Sequence, residues 1–206
     1  MELIRYLEAH YLSEELLLTA SGLDAAELAD MQARKLMPQP SYTLQLDIGC
    51  DSYFGPHKEH AGARYYAQGY AAWIGTVRRL AHEEEGFQVF AGRYLARLDA
   101  LGGAAHRPDL REEWRHFLSG TYGLCTRSGL PEDIAAKELA AAAIRSLAAP
   151  GVAELTELTD MQRERLLAAI DLLDLASSPF APHERTRSSR HSLIDALRVR
   201  LQSTSQ

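Results

Sequence analysis

Apolar positions recur at helical spacing over most of the chain, and turn residues cut them into short segments. Ser13 stands where it caps a helix through Glu14–Ala20, which Ser21-Gly22 breaks. Asp24 and Glu27 have capping-box spacing and open a second helix to about Leu36, stopped by Met37-Pro38. Thr43 to Ile48 alternates polar and apolar, the one clear period-2 segment, and Gly49 to Pro56 reads as a loop. A lone strand leaves its backbone unpaired, so it needs a weak partner near Ser52–Phe54 or a strand from another chain. The stripe Tyr66, Tyr70, Trp73, Val77, Leu80 predicts one long amphipathic helix from Lys58 to Glu84. A second stripe, Phe87, Phe90, Tyr94, Leu98 and Leu101, ends at Gly102-Gly103.

Asp109 and Glu112 repeat the capping spacing ahead of a helix holding Trp114, Phe117 and Leu118. A polar, glycine-bearing loop, Ser119–Thr126, comes next. Pro131 then suits the first position of an Ala-rich helix that Pro150-Gly151 stops. A further helix spans about Thr159 to Ala176, Ser177–Pro182 reads as a linker, and the last helix runs from about Ser189 to Leu201. The fold class is mainly α: a helical bundle with a helix-turn-helix-like N-terminal unit and one short β strand or hairpin. The expected division is a unit with a wing-like strand over 1–50 and a helical domain over 51–206.

The 206 residues carry a formal charge of −6, with 46% hydrophobic and 24% charged side chains, so wholesale disorder is excluded. No run approaches the ~18 apolar residues of a membrane span. MELIRYLEAH carries Glu2, Arg5 and Glu8 where a signal peptide needs a basic start and an apolar stretch. Two cysteines, Cys50 and Cys125, make no disulfide framework. The expectation is a soluble, cytoplasmic protein. Five arginines between His183 and Arg200 face only Glu184 and Asp195, leaving −9 on the remainder. An acidic body is a poor general nucleic-acid binder, but its basic segment suits one compact anion or one acidic partner.

Candidate chemistry sits in four places. His57 and His60 could share a helix face, but a zinc site needs a third ligand and no second cluster is apparent, so no metal is expected. Lys137, Glu138 and Arg145 interrupt a helix otherwise nearly all Ile, Leu and Ala; they form either a solvated face or a functional carboxylate at Glu138. The loop after His116, with Tyr122 and Cys125, is an ordinary loop, a pocket wall or a Cys–His nucleophile pair. Arg185, Arg187 and Arg190, with Ser188 and Ser189 beside a helix start, suit an anion, against a plain reading as a loose basic tail.

Residues Tyr11 to Pro40 resemble a helix-turn-helix of the MerR type, carried by LLLTASGLDAAELADMQARKLMP. DNA recognition needs Arg, Asn or Gln at the start of the second helix, where this chain has Asp24, Glu27 and Asp30, so no specific nucleic acid is expected. Over residues 36–190 the chain resembles a small family of actinobacterial natural-product biosynthesis proteins. The likeness is carried by LMPQPSY, SYFG, YYAQGY, WRHFLSGTYGLCTR, PEDIAAKELA and SPFAPHERTRSSR. It is also similar to subunits that form aziridine rings in azinomycin-type pathways by sulfate elimination. That likeness implies a cofactor-free, metal-free enzyme subunit acting on an amino acid held by an acidic amino-group carrier protein. It also implies a heteromeric enzyme with a second subunit from the same pathway; the lone strand and the uneven charge separately point to a dimer, homo- or heteromeric. On this view Glu138 or His116 is the base, Arg185, Arg187 and Arg190 clamp the sulfate or the carrier, and Tyr53, Tyr66, Tyr122 and Lys137 contact substrate. The rival classes are a MerR-like transcriptional regulator and a non-catalytic scaffold subunit.

Overall fold

The computed structural model describes residues 2–148 and 158–203; the expected helix stop at Pro150-Gly151 lies outside them. The chain is mainly α, with a small antiparallel sheet. A helix absent from the sequence-based reading, α1 (Glu2–His10), leads into a three-residue strand, β1 (Tyr11–Ser13). Then α2 (Glu14–Ser21) starts where Ser13 Oγ accepts the Leu16 N–H at 3.2 Å, and Gly22, with φ +63°, closes it. The capping box forms as expected: Asp24 and Glu27 each accept the other's backbone N–H at 2.8 Å and open α3 (Ala25–Ala33).

The expected helix over Lys58–Glu84 does not form. Tyr42–Ser52 (β2) and Gly55–Ala67 (β3) instead make a long hairpin, from Tyr42 opposite Tyr65 to Ser52 opposite Gly55 across the turn Tyr53-Phe54. The partner of β2 is therefore neither Ser52–Phe54 nor another chain. Its sequence, GPHKEHAGARYYA, has no apolar face at either period, because most of the hairpin stands clear of the core with both faces exposed. The stripe is real only from Tyr70, where α4 (Tyr70–Val77) buries Tyr70, Trp73 and Val77. On β3, His57 and His60 sit three apart and so point to opposite faces, not to one. β3 also pairs with β1, giving the order β1-β3-β2. A helix, a strand, two helices joined by a turn, and a two-stranded arm follow one another over residues 2–67, the order of a helix-turn-helix unit carrying a wing.

The remaining helices are α5 (Glu83–Ala100), α6 (Leu110–Leu118), α7 (Thr121–Cys125), α8 (Pro131–Ala148), α9 (Asp160–Ala176) and α10 (Ala196–Ser203), the last preceded by one π turn. The Ser119–Thr126 loop is thus partly helical. Gly120, at φ +82°, and Gly123 are there for close packing: a Cβ on Gly120 would lie 2.7 Å from Gln39 O, and one on Gly123 2.7 Å from Tyr70 Oη. Ser177–Pro182 is no linker. Ser177, Ser178, Phe180 and Ala181 are buried, and Ser177 bridges Thr126.

One aromatic core joins the N-terminal unit to the helices. Leu17, Leu28 and Met31 pack with Trp73, Phe90, Trp114 and Phe117, whose rings meet at 4.9–6.2 Å. Ala140, Ile144, Ile170, Leu173, Ile194 and Leu197 form a second core between α8, α9 and the C-terminal segment.

Candidate active site

Four helices bring seven functional side chains together. Tyr94 comes from α5, Glu113 and His116 from one face of α6, Tyr122 and Cys125 from one face of α7, and Lys137 and Glu138 from α8. Helix α8 is held at its first turn by two contacts. Arg93 on α5 donates from Nε and Nη2 to the two oxygens of Glu132 at 2.7 and 2.9 Å, a bidentate clamp. Asp133 accepts the Ser128 N–H and hydroxyl at 3.0 and 2.6 Å, closing the turn before α8. Lys137 follows one turn later.

Lys137 is 8% exposed and is the only buried charged residue among those described. Its Nζ donates to Glu138 Oε1 at 3.1 Å and faces Cys125. Burial pushes the ammonium toward neutrality, but the negative charge that Cys125 carries once ionised and the Glu138 carboxylate more than offset it and hold the lysine above its ordinary value. A plain solvated face over Asp133–Arg145 is therefore not what α8 presents, since Lys137, Ile134 and Ile144 are all buried. Burial raises the Cys125 thiol against the pull of Lys137, so cysteine and lysine face one another as thiol and ammonium at neutral pH.

Tyr122 Oη donates to Glu113 Oε2. Desolvation raises the Glu113 carboxyl; the Tyr122 hydrogen bond opposes this, and the charge of Glu138 adds to it. The Tyr122 phenol is raised by burial and by the carboxylate it serves. Tyr94 Oη is buried with no hydrogen-bond partner among the described residues, and burial and the charges of Glu113 and Glu138 raise it too. His116 is half exposed at the edge, its ring 6.1 Å from that of Tyr122.

Glu138, His116, Tyr122 and Lys137, singled out in the sequence, thus belong to one cluster. Glu113 and Tyr94 were not expected there; Glu113 lies three residues before His116 on an amphipathic helix, a spacing that places both on one face. The other sequence candidates lie elsewhere. Tyr53 is 97% exposed at the hairpin tip beside Phe54. Tyr66 is buried, donating to Glu14 at 3.1 Å and accepting from Gln32 at 3.4 Å. Arg185 and Arg187 are exposed in a 3-10 turn, and Arg190 pairs with Asp174 at 2.5 Å. Arg187 and Arg190 line different depressions, so the three arginines do not form one clamp. Among the described residues no group of three or more His, Cys, Asp or Glu is placed to hold a metal, and no helix is long and apolar enough to cross a membrane.

Fold and site together define a mainly α protein whose helix-turn-helix-like N-terminal unit, with its small antiparallel sheet, shares a core with a helical body that carries a half-buried acid–base cluster. The chain belongs to a family of unknown function, DUF6058, which matches residues 86–202. All seven cluster residues fall within the matched span, and the wing and both helices of the helix-turn-helix fall before it. No curated protein and no solved structure matches the chain.

Proposed function

We propose that this protein is a cofactor-independent, cytoplasmic enzyme subunit of natural-product biosynthesis, in which the Glu113–Tyr122 couple transfers a proton during ring closure. The observation that carries the reading is a carboxyl with a raised pKa, bonded to a phenol and set against a buried ammonium. Such a carboxyl titrates nearer neutral pH than an exposed one, the condition for a general base. The substrate class follows from the resemblance: an amino acid on an acidic carrier protein, with a sulfate ester on the carbon adjacent to the one that bears the amine. Glu113 takes a proton from the substrate ammonium. The freed nitrogen lone pair forms the C–N bond as the C–O bond breaks, and sulfate leaves with that electron pair. Glu138 is occupied by Lys137, so the role of base falls to Glu113, and His116 at the edge passes the proton to solvent. Arg185 and Arg187, exposed on a 3-10 turn, are positioned to meet an acidic carrier.

The rival reading, a MerR-like regulator, draws on the order of helices and wing. Against it, the exposed residues of α3 are Ala25, Ala26, Glu27, Ala29, Asp30 and Ala33, a small and acidic face that suits protein better than phosphate. The deciding experiment is a reconstituted assay of carrier-bound substrate with this chain and its partner subunit. Glu113→Gln should lower turnover by roughly 10²- to 10⁴-fold with substrate binding retained. Wild-type turnover in Glu113→Gln would end the proposal.

A further inference from the structure

A second candidate site lies between residues of the N-terminal unit, Ala9 to Tyr11, and the helical body. It is a pocket of about 460 Å³, a size typical of small-molecule sites. Its polar lining comes from His10, Gln68, Arg127, Ser177, Ser178 and Arg190, and among the described residues no acidic one lines it. On a chain of formal charge −6, a pocket lined by two arginines and a histidine is a local reversal of sign.

The two arginines are held in different ways. Arg190 is gripped from behind by Asp174 at 2.5 Å, and the same carboxylate also takes Arg198 Nη1 at 2.7 Å. These guanidinium groups keep the Asp174 carboxyl below its usual range against the effect of its burial, so it stays charged and Arg190 stays oriented. Among the described residues Arg127 uses only Nε, donating to Leu175 O at 2.7 Å, and has no acidic partner. Its two Nη groups therefore carry donors and charge that no described protein group uses. Ser177, 1% exposed, lines the same pocket, and its Oγ is a buried hydroxyl with no hydrogen-bond partner among the described residues. A native fold rarely leaves such a group unpaired without a use for it.

We propose that this pocket binds a tetrahedral oxyanion, the sulfate or phosphate group of a small molecule, through Arg127, Arg190 and Ser177. The site does not depend on the acid–base reading and is separate from it. The two are nevertheless joined by short connections: Tyr11, in the pocket wall, donates to Leu124 O at 3.2 Å, and Ser178 Oγ to the same oxygen at 2.7 Å. Thr126, next to Cys125, bridges to Ser177. An anion in the pocket thus bears directly on the segment that positions Tyr122 and Cys125.

The test is calorimetric titration of the whole chain with inorganic sulfate and inorganic phosphate at constant ionic strength set by chloride. Saturable binding of either ion is expected, and whichever binds more tightly names the source of the oxyanion. Losing one charge-assisted contact costs roughly 10- to 150-fold in affinity, so Arg127→Gln should weaken binding by that factor. Ser177→Ala should weaken it less. Arg79→Gln, an exposed arginine outside the pocket, should bind as the wild type does. No saturable binding by the wild type, unchanged affinity in Arg127→Gln, or an equal loss in Arg79→Gln would each overturn the proposal. The readout is binding rather than turnover, so the ring-closure reading can fail while this one stands.

Discussion

Glu113 shows how burial and a single hydrogen bond set one residue's chemistry. Its carboxyl is raised in the folded chain, chiefly by desolvation, so the native state holds that proton over a pH range where the unfolded state has released it. The contribution is fully present below the ordinary carboxyl value of 4.5 and is lost as pH rises through the raised value. Denaturation curves collected from pH 4 to pH 8 should therefore show a decline that Glu113→Gln lacks. In Tyr122→Phe the donor that lowers the carboxyl is gone, and the window of decline should move to higher pH. An identical pH profile in wild type and Glu113→Gln would remove the raised carboxyl, and with it the case for a base at this position.

At the level of single elements, caps set the boundaries and buried faces set the positions. Both bonds of the Asp24–Glu27 box are local and exposed, so their loss is a helix effect with little effect on the core. Asp24→Ala should cost about 1 kcal/mol, read as a lower urea midpoint at unchanged slope. The hairpin is an element of another kind, since its outer half has no core to rest on. Tyr53 and Phe54 are 97% and 95% exposed at its tip, their rings 5.4 Å apart. Two large aromatics facing water serve nothing inside the chain, and they suit contact with another one.

For the whole molecule, that arm is the feature most suited to a second subunit. The case no longer rests on an unpaired strand, because β2 and β3 satisfy one another over eleven residue pairs. It rests on the aromatic tip and on the free outer edge of β2, which lies at the end of the sheet. A Tyr53→Ser, Phe54→Ser double variant should keep its thermal midpoint, because surface changes fall within about 0.5 kcal/mol. The same variant should lose the complex with the partner subunit, or the homodimer, in light scattering. Retained assembly would assign the interface elsewhere.

The sequence by itself determined what neighbours within four residues decide. Ser13, Gly22, Asp24 and Thr159 mark helix ends because capping is settled between a side chain and the next turn. The stripes of α5 and α6 mark buried faces because period 3.6 is visible in any short window. Only tertiary structure could decide the rest. β3 has no apolar period of its own; it is a strand because β2 and β1 offer it hydrogen bonds, and Ser13 meets Tyr65 across 52 positions of chain. Ser177–Pro182 looks like a linker by composition, yet it is buried because Thr126 and Leu124 supply its polar partners. Glu138, His116, Tyr122 and Lys137 were legible as unusual residue types at their places. That they share one cluster with Glu113, while Tyr53, Tyr66 and the arginines do not, depends on how α5, α6, α7 and α8 pack. Distances between helices are set by core volumes that no local pattern records.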